Sequence, residues 1–256
     1  MPGTPHRAAA GVFSSPGAGT GGFYSGTPGP VIMAAPRKTS GVGKENPSWA
    51  RPPITGAILA GGRSRRLGQD KAALKLGGKP LAGWVAQALA PLVSELWLIT
   101  NRPLEHLSLG LPLLTDLEPH QGPAGGLVTA LFYARTPWVL AAAVDNPFLA
   151  PPLLEALVRR AGEGNPAAVV CRSPSGLEPF PGLYSVRLLS RLEAFLKMDR
   201  RPTRFLEVCR PLVLPWEEVN LLDPQGRTFF NLNTPEDLAR AEAWLAAEAS
   251  WQDMKR

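Results

Sequence analysis

The chain has 256 residues, of which 45% are hydrophobic, and a formal net charge of +6. This length allows one large α/β domain or two small ones. Its two cysteines, Cys171 and Cys209, have neither a disulfide-framework pattern nor a metal-binding spacing. That excludes a disulfide-stapled secreted scaffold and favours a reducing compartment, so we expect the cytoplasm.

The first fifty residues differ in composition from the rest of the chain. They contain 10 Gly and 7 Pro, a single acidic residue, Glu45, and no hydrophobic periodicity. Such a segment buries too little apolar surface to offset the entropy lost on ordering, so we expect residues 1–50 to form a disordered extension. Its apolar stretches are too short for a signal-peptide core or a membrane span.

Much of the positive charge lies in this extension. Its Lys and Arg side chains and Glu45 give it a net charge of +3, half of the +6 of the whole chain. The remaining residues are therefore only mildly basic, and their cations cluster at 63–71 and 200–204. Clusters this short suit anionic small molecules and argue against a long nucleic-acid-binding track.

From residue 54 onward, apolar runs typical of strands alternate with patterns typical of helices. The runs predicted as strands are 54–59, 95–100, 111–115, 138–144, 167–171, 183–185 and 227–231. The predicted helices begin at Pro80, after the loop 122–126, at Pro151, at Val186, and at Pro235 with Thr234 as the N-cap. This alternation predicts an α/β fold with a mostly parallel sheet covered by helices on both faces. Ligands of such sheets bind beyond the carboxyl ends of the strands.

The segment that follows the first predicted strand has the composition of a polyphosphate site. Gly61 and Gly62 allow backbone N–H groups to approach a ligand closely. Arg66 and Lys71 lie on either side of a turn that contains Gly68, so both could reach one phosphate chain. The spacing is neither that of a P-loop nor that of the dinucleotide fingerprint. The alternative interpretation is a glycine turn with solvated surface cations.

Asp145 follows the near-continuous apolar run 138–144. A carboxylate in this place is costly unless it is solvated, capped or bound to a cation. Mg²⁺ takes carboxylate oxygens and bridges substrate phosphates, so Asp145 is the predicted Mg²⁺ ligand. The alternative is an Asx turn before Pro147. A phosphate site predicted at the same sheet edge favours the metal.

Four further polar residues are predicted near this edge. Asp116 ends one predicted strand, and Asn101 follows another and carries an amide able to read a base or a ribose. Asn231 and Asn233 alternate along the end of the last predicted strand, so they would share a face that could complete a metal shell or hold a second substrate. Each of the four could instead be a turn or capping residue.

The order of these residues along the chain resembles that of one family. The signature of molybdenum cofactor guanylyltransferases closely resembles the segment Leu59-Ala60-Gly61-Gly62-x-Ser64-x-Arg66-Leu67-Gly68-x-Asp70-Lys71-Ala72. Later motifs of that family resemble Asn101-Arg102, Asp116 with Gly122-Pro123, Asp145-Asn146-Pro147-Phe148 and Asn231-x-Asn233-Thr234-Pro235-Glu236-Asp237-Leu238. The resemblance covers residues 54–245.

The resemblance implies a Rossmann-like, three-layer nucleotidyltransferase fold with a mostly parallel central sheet. We place this domain at 51–249, followed by a tail at 250–256. The implied enzyme uses Mg²⁺ and transfers GMP from GTP to the terminal phosphate of molybdopterin or Mo-molybdopterin. The nucleotide contacts that the resemblance implies are Leu59, Ala60, Gly61, Lys71, Asn101, Asp116 and Asp145. Asp145 would also bind Mg²⁺, and Asn231 and Asn233 would lie on the molybdopterin side.

The reaction predicted for such a site is in-line attack by an acceptor phosphate oxygen on the α-phosphate of GTP, with pyrophosphate leaving. The N–H groups of Gly61 and Gly62, together with Arg66, are expected to hold the β- and γ-phosphates. Lys71 is expected to stabilise the charge that develops at the α-phosphate. Lys71, Arg66 and Asp145 are therefore the predicted catalytic residues.

Other functions remain open at this point. The same chemistry with CTP would make the chain a molybdopterin cytidylyltransferase, and related enzymes act on sugar phosphates or cobinamide phosphate. A non-catalytic module that binds a nucleotide and delivers cofactor would not need both Lys71 and Asp145. We expect a monomer that contacts neither nucleic acid nor a membrane, with molybdoenzymes or cofactor-handling proteins as candidate partners.

Overall fold

The computed structural model describes residues 53–60, 70–118 and 121–254 of the chain. Side chains of the last helix are described as far as Trp251. Three predicted site residues, Gly61, Gly62 and Arg66, lie outside the described residues, as does the extension predicted at 1–50.

A seven-stranded sheet forms the centre of the described structure. The strands are β1 (Ile54–Leu59), β2 (Lys75–Leu76), β3 (Lys79–Pro80), β4 (Glu95–Ile99), β5 (Leu113–Leu114), β6 (Trp138–Ala143), β7 (Ala168–Ser173), β8 (Gly176–Ser185) and β9 (Leu212–Leu214). Their order in the sheet is β5-β4-β1-β6-β8-β7-β9, and β2 pairs separately with β3. Strands β5, β4, β1 and β6 are mutually parallel, β8 is antiparallel to its neighbours β6 and β7, and β9 is parallel to β7. The mostly parallel sheet predicted from the sequence is confirmed.

Helices connect the strands and cover the sheet. They are α1 (Leu81–Leu89), α2 (Gly122–Tyr133), α3 (Pro151–Arg160), α4 (Leu189–Leu196), α5 (Pro202–Cys209), α6 (Trp216–Leu222) and α7 (Pro235–Met254). Short 3-10 helices lie at Ala90–Leu92, Pro103–Leu109, Val186–Leu188 and Arg227–Phe229. None of the helices in the described part of the chain is long and apolar enough to cross a membrane.

Both faces of the sheet are covered, which explains why β1 is apolar along its whole length. On one face, Ile54 and Ile58 join a core that contains the buried side chains of α1 and α3. On the other face, Ala57 and Leu59 join a core that contains those of α2 and α4. This three-layer α/β arrangement is the one that the sequence predicted.

The carboxyl ends of four parallel strands are level with one another. Leu59 of β1 pairs with Ile99 of β4 and with Ala143 of β6, and Ile99 pairs with Leu114 of β5. The chain therefore leaves β5, β4, β1 and β6 at one edge of the sheet. Residues that follow these strands share that edge.

The prediction of a strand at 227–231 is wrong. Arg227–Phe229 is a 3-10 helix, and no strand follows it in the described chain before α7. The polar groups of Thr228 bond to neighbouring loops: its N–H donates to Asp223 Oδ2 at 2.8 Å, and its hydroxyl accepts from the N–H of Ala150 at 3.0 Å. These bonds replace a sheet ladder, so the expected alternation of Asn231 and Asn233 along a strand is also wrong.

The start of α7 agrees with the predicted capping. Thr234 Oγ1 accepts from the N–H of Asp237 at 3.2 Å, and Asp237 Oδ2 accepts from the N–H groups of Thr234 and Asn233 at 3.0 and 3.1 Å. This reciprocal pattern is a capping box. Burial raises the pKa of Asp237, but these hydrogen bonds outweigh it and leave the pKa below its ordinary value of 3.8.

The end of α7 lies beyond the boundary predicted at residue 249. The helix continues through the predicted tail to Met254, because residues 246–254 contain neither Gly nor Pro. An aromatic cluster packs its middle against the domain. The ring of Trp244 lies 4.8 Å from that of Phe230 and 5.6 Å from that of Phe148. Arg227 and Arg240 lie over the same indole at 4.7 and 5.8 Å.

Candidate functional site

The sheet topology collects the predicted site residues at one edge. Asp116, Asn101, Ala60 and Asp145 follow β5, β4, β1 and β6, so they lie in that order along the carboxyl ends of the strands. Leu59 and Ala60 are buried, and the N–H of Ala60 donates to Ile99 O at 2.8 Å. Only a small part of either residue is therefore open to a ligand.

Lys71 lies at the centre of the most polar contact at this edge. Its Nζ donates to Asp145 Oδ2 at 2.7 Å and to Asn233 Oδ1 at 2.5 Å. The Lys71 and Asp145 side chains are 14% and 21% exposed, so the ion pair is largely shielded but still open to a ligand. The turn before β2, the end of β6 and the segment before α7 thus meet at one cation.

A second polar pair lies on the β4–β5 side. Asn101 Nδ2 donates to Asp116 Oδ2 at 2.8 Å, and Asp116 is buried while Asn101 is exposed. The first turn of α2 packs closely here: a Cβ on Gly126 would lie 3.2 Å from Leu59 Cδ2 and 3.6 Å from Asp116 Oδ1. The residues 122–126, predicted as a loop, are the first residues of α2.

The segment before α7 lies against the end of β6. The N–H of Leu232 donates to Asp145 O at 2.9 Å, and Asn146 Nδ2 donates to Asn231 Oδ1 at 3.3 Å. Asn231 is exposed, whereas Asn233 contacts Lys71. The two predicted asparagines therefore have different partners. Asn146, a buried amide that holds Asn231, was given no role from the sequence.

Two further residues near Lys71 were missed. Asp70 Oδ1 accepts from the N–H of Ala72 at 2.8 Å and lies 3.4 Å from His106 Nε2. Burial raises the pKa of Asp70, but the contact with His106 and the Ala72 N–H bond outweigh it, so the pKa lies below its ordinary value of 3.8. His106 has no ligand spacing in the sequence, and only its burial in the structure points to it.

The donor set at this edge fits a Mg²⁺ ion that is bound mainly by substrate. No group of three or more His, Cys, Asp or Glu side chains in the described residues could hold a metal by itself. Asp145 nevertheless supplies a carboxylate beside the amide oxygen of Asn233, at the contact with Lys71. Mg²⁺ commonly binds through one or two carboxylates, with substrate phosphates and water completing its shell.

The basic segment 199–205 forms local ion pairs. Arg201 pairs with Asp199 at 2.5 Å, and Arg204 pairs with Glu207 at 3.0 Å within α5. These arginines are more than half exposed and their charges are balanced locally. These local pairs favour a solvated charged surface over the site for an anionic small molecule that the cation cluster at 200–204 suggested.

Comparison with known proteins places this geometry in a family. Residues 56–213 match the family described as MobA-like NTP transferase domain. The molybdenum cofactor guanylyltransferase of Cereibacter sphaeroides is 39% identical over 202 residues, which cover 77% of this chain and 99% of the relative. The probable molybdenum cofactor guanylyltransferase of Chloroflexus aggregans is 33% identical over 75% of this chain and 95% of the relative.

A solved structure has the same fold. Molybdopterin-guanine dinucleotide biosynthesis protein A from Archaeoglobus fulgidus is 29% identical and superposes with a TM-score of 0.66, covering 75% of this chain and 99% of that one. The family match, the identity to the curated relatives and the shared fold agree. The chain belongs to the MobA-like NTP transferase family.

Proposed function

We propose that this protein transfers GMP from GTP to the terminal phosphate of molybdopterin or Mo-molybdopterin, forming the guanine dinucleotide cofactor and pyrophosphate. The relatives named guanylyltransferases support the substrates. The observation that carries the proposal is the contact of Lys71 with both Asp145 and Asn233. It puts a cation, a carboxylate and an amide at the edge where ligands of parallel sheets bind.

The Asn101–Asp116 pair and the Asn146–Asn231 pair lie on opposite sides of Lys71 along this edge. Asn101 and Asp116 lie on the β4–β5 side and would contact the base or ribose of GTP. Asn231 lies beyond β6 and would contact the pterin acceptor. Lys71 lies between them, where the α-phosphate of a nucleotide and the acceptor phosphate would meet.

The reaction is an in-line displacement. An acceptor phosphate oxygen forms a bond to the α-phosphorus, and the bond from that phosphorus to the bridging oxygen breaks, so the electron pair leaves with pyrophosphate. The acceptor oxygen is already anionic, so no general base is needed. Catalysis then depends on positioning and on neutralising charge.

Lys71 supplies a positioned positive charge for this step. Without substrate its charge is balanced by Asp145 at 2.7 Å. The ammonium group has three N–H donors, so it can also donate to a phosphate group bound beside it. The contacts with Asp145 and Asn233 hold Nζ in place before substrate binds, so little reorganisation is needed in the transition state.

We propose that Asp145 holds Mg²⁺ and that Asn233 Oδ1 is a neighbouring oxygen ligand. When bound, the ion neutralises phosphate charge. Gly61, Gly62 and Arg66 remain the proposed contacts of the β- and γ-phosphates, and Leu59 and Ala60 remain proposed backbone contacts of the nucleotide. The proposed monomer would act without nucleic acid or a membrane.

The cysteines support a reducing compartment, and we propose the cytoplasm. Cys171 and Cys209 are both free and buried. Burial raises the pKa of the Cys171 thiol to about 12 and that of Cys209 to about 11. Neither thiol is ionised at neutral pH, so neither is suited to redox or nucleophilic chemistry.

Pyrophosphate release tests the proposal. We expect release from GTP in Mg²⁺ only when molybdopterin is present, and its loss when the metal is chelated. Equal release from CTP would support the cytidylyltransferase instead. Nucleotide binding without release would support the delivery module.

A further inference from the structure

His106 is buried in a helix that leaves two leucines exposed. It belongs to the 3-10 helix Pro103–Leu109 and is 1% exposed, whereas Leu104 and Leu107 are 75% and 48% exposed. Leucine is far more often buried than histidine, and a buried imidazole needs a polar partner. Leu109 of the same helix packs against the core, but the most buried position of the helix is the imidazole, so the polar partner of His106 contributes to the orientation of this helix.

That partner is Asp70, the residue next to Lys71. His106 Nε2 lies 3.4 Å from Asp70 Oδ1, and neither ring nitrogen makes a well-formed hydrogen bond within the described residues. The Asp70 side chain is only 12% exposed. A carboxylate and an imidazole facing each other with little water between them interact more strongly than an exposed pair.

Asp70 in turn holds the turn that carries Lys71. Its carboxylate accepts from the N–H of Ala72 at 2.8 Å, and its carbonyl accepts from the N–H of Leu74 at 3.1 Å. The far side of the turn is tied to α1, since the N–H of Leu81 donates to Leu74 O at 2.8 Å. His106 supports the near side, where the backbone enters Lys71.

We infer that His106 is a positioning residue for Lys71. Through Asp70 it holds the turn so that Lys71 Nζ stays between Asp145 and Asn233. The helix that carries His106 begins two residues after Asn101, so the contact also ties the proposed nucleotide side of the site to the lysine. The effect on catalysis rests on the proposed function; the effect on Lys71 itself does not.

The first test is the chemical reactivity of the Lys71 amine. Acetic anhydride is applied to the full chain, and modification of Lys71 is compared by mass spectrometry with that of exposed Lys75. We expect Lys71 to be protected in the wild type and in His106→Gln, which keeps an N–H donor. We expect His106→Phe and Asp70→Asn to lose that protection. Unchanged protection in both of these variants would overturn the inference.

The second test is kinetic. We expect His106→Phe to lower kcat/KM for GMP transfer by about tenfold, since a displacement of about 1 Å in an active site can cost up to about a hundredfold. In a Lys71→Met background the same substitution should have no further effect, because its target is gone. An undiminished effect in that background would show a general structural role and contradict the inference.

A matched control separates positioning from stability. Leu113→Ala removes a buried side chain from β5, next to the His106 helix, and should lower the melting temperature without lowering kcat/KM or exposing Lys71. If Leu113→Ala reproduced both effects of His106→Phe, the inference would fail. If the wild type transferred no GMP, the proposed function would fail, and the Lys71 reactivity would still decide the role of His106.

Discussion

Replacing Lys71 with Met tests the centre of the proposed site. The substitution keeps a long unbranched side chain but removes the ammonium that bonds to Asp145 Oδ2 at 2.7 Å and to Asn233 Oδ1 at 2.5 Å. Losing one positioned charge-stabilising donor costs about 10²–10³ in rate, or roughly 3–4 kcal/mol of transition-state stabilisation. We expect kcat/KM for GMP transfer to fall by that factor.

The same substitution should have a smaller effect on folding. It leaves the Asp145 carboxylate, which is 21% exposed, without the donor that now pairs with it. A partly buried acceptor deprived of its partner costs about 1–2 kcal/mol. We therefore expect a modest fall in the free energy of unfolding, measured by urea titration, and a folded variant at the assay temperature.

The assay is pyrophosphate release with GTP and molybdopterin, and the matched control is Lys75→Met. Lys75 lies four residues further on and is exposed. We expect the control to keep wild-type kcat/KM and stability. A Lys71→Met variant that is folded and within threefold of the wild type would refute the role given to Lys71.

Three other predictions concern the nucleotide side and helix α7. Asn101→Ala should raise KM for GTP by about tenfold with a smaller change in kcat, because one ligand hydrogen bond is worth about 1–1.5 kcal/mol; a fall in kcat alone would contradict the assignment. Asp237→Ala should cost about 1 kcal/mol of unfolding free energy at neutral pH. Folding lowers the pKa of Asp237, so the stabilisation by its carboxylate is complete above the ordinary pKa of 3.8 and is lost as the pH falls through the pKa of the folded state. A difference in unfolding free energy between wild type and Asp237→Ala that persists in urea titrations at pH 2 would contradict this prediction. Trp244→Ala should cost about 2–3 kcal/mol, because its two ring contacts hold α7; an unchanged melting temperature would contradict it.

The alternation of elements could be predicted because burial on both faces leaves a clear sequence signal. β1 and β6 lie inside the sheet, and their apolar runs have nearly the predicted bounds. The segment 227–231 was also predicted as a strand, but Phe230, one of its two aromatic residues, packs against Trp244 of α7 and not against a neighbouring strand. Apolar runs alone do not distinguish these two kinds of burial.

The site was predictable in outline and not in its contacts. Topology predicts that Asp145 lies at the carboxyl edge, since it follows a central parallel strand. Lys71 contacts Asp145 and Asn233, which are 74 and 162 positions away in the sequence. These contacts depend on the geometry of a short turn, which the sequence does not specify. His106 gave no sequence signal, because a 3-10 helix is too short for a hydrophobic period and two of its three leucines, Leu104 and Leu107, are exposed.

A competition assay shows which nucleotide the enzyme transfers to molybdopterin. The protein is incubated with Mg²⁺, molybdopterin and equal concentrations of GTP and CTP, and the dinucleotide products are quantified by mass spectrometry. We expect molybdopterin guanine dinucleotide to be the dominant product. An equal or larger yield of the cytosine dinucleotide, or no dinucleotide while GTP still binds, would contradict it.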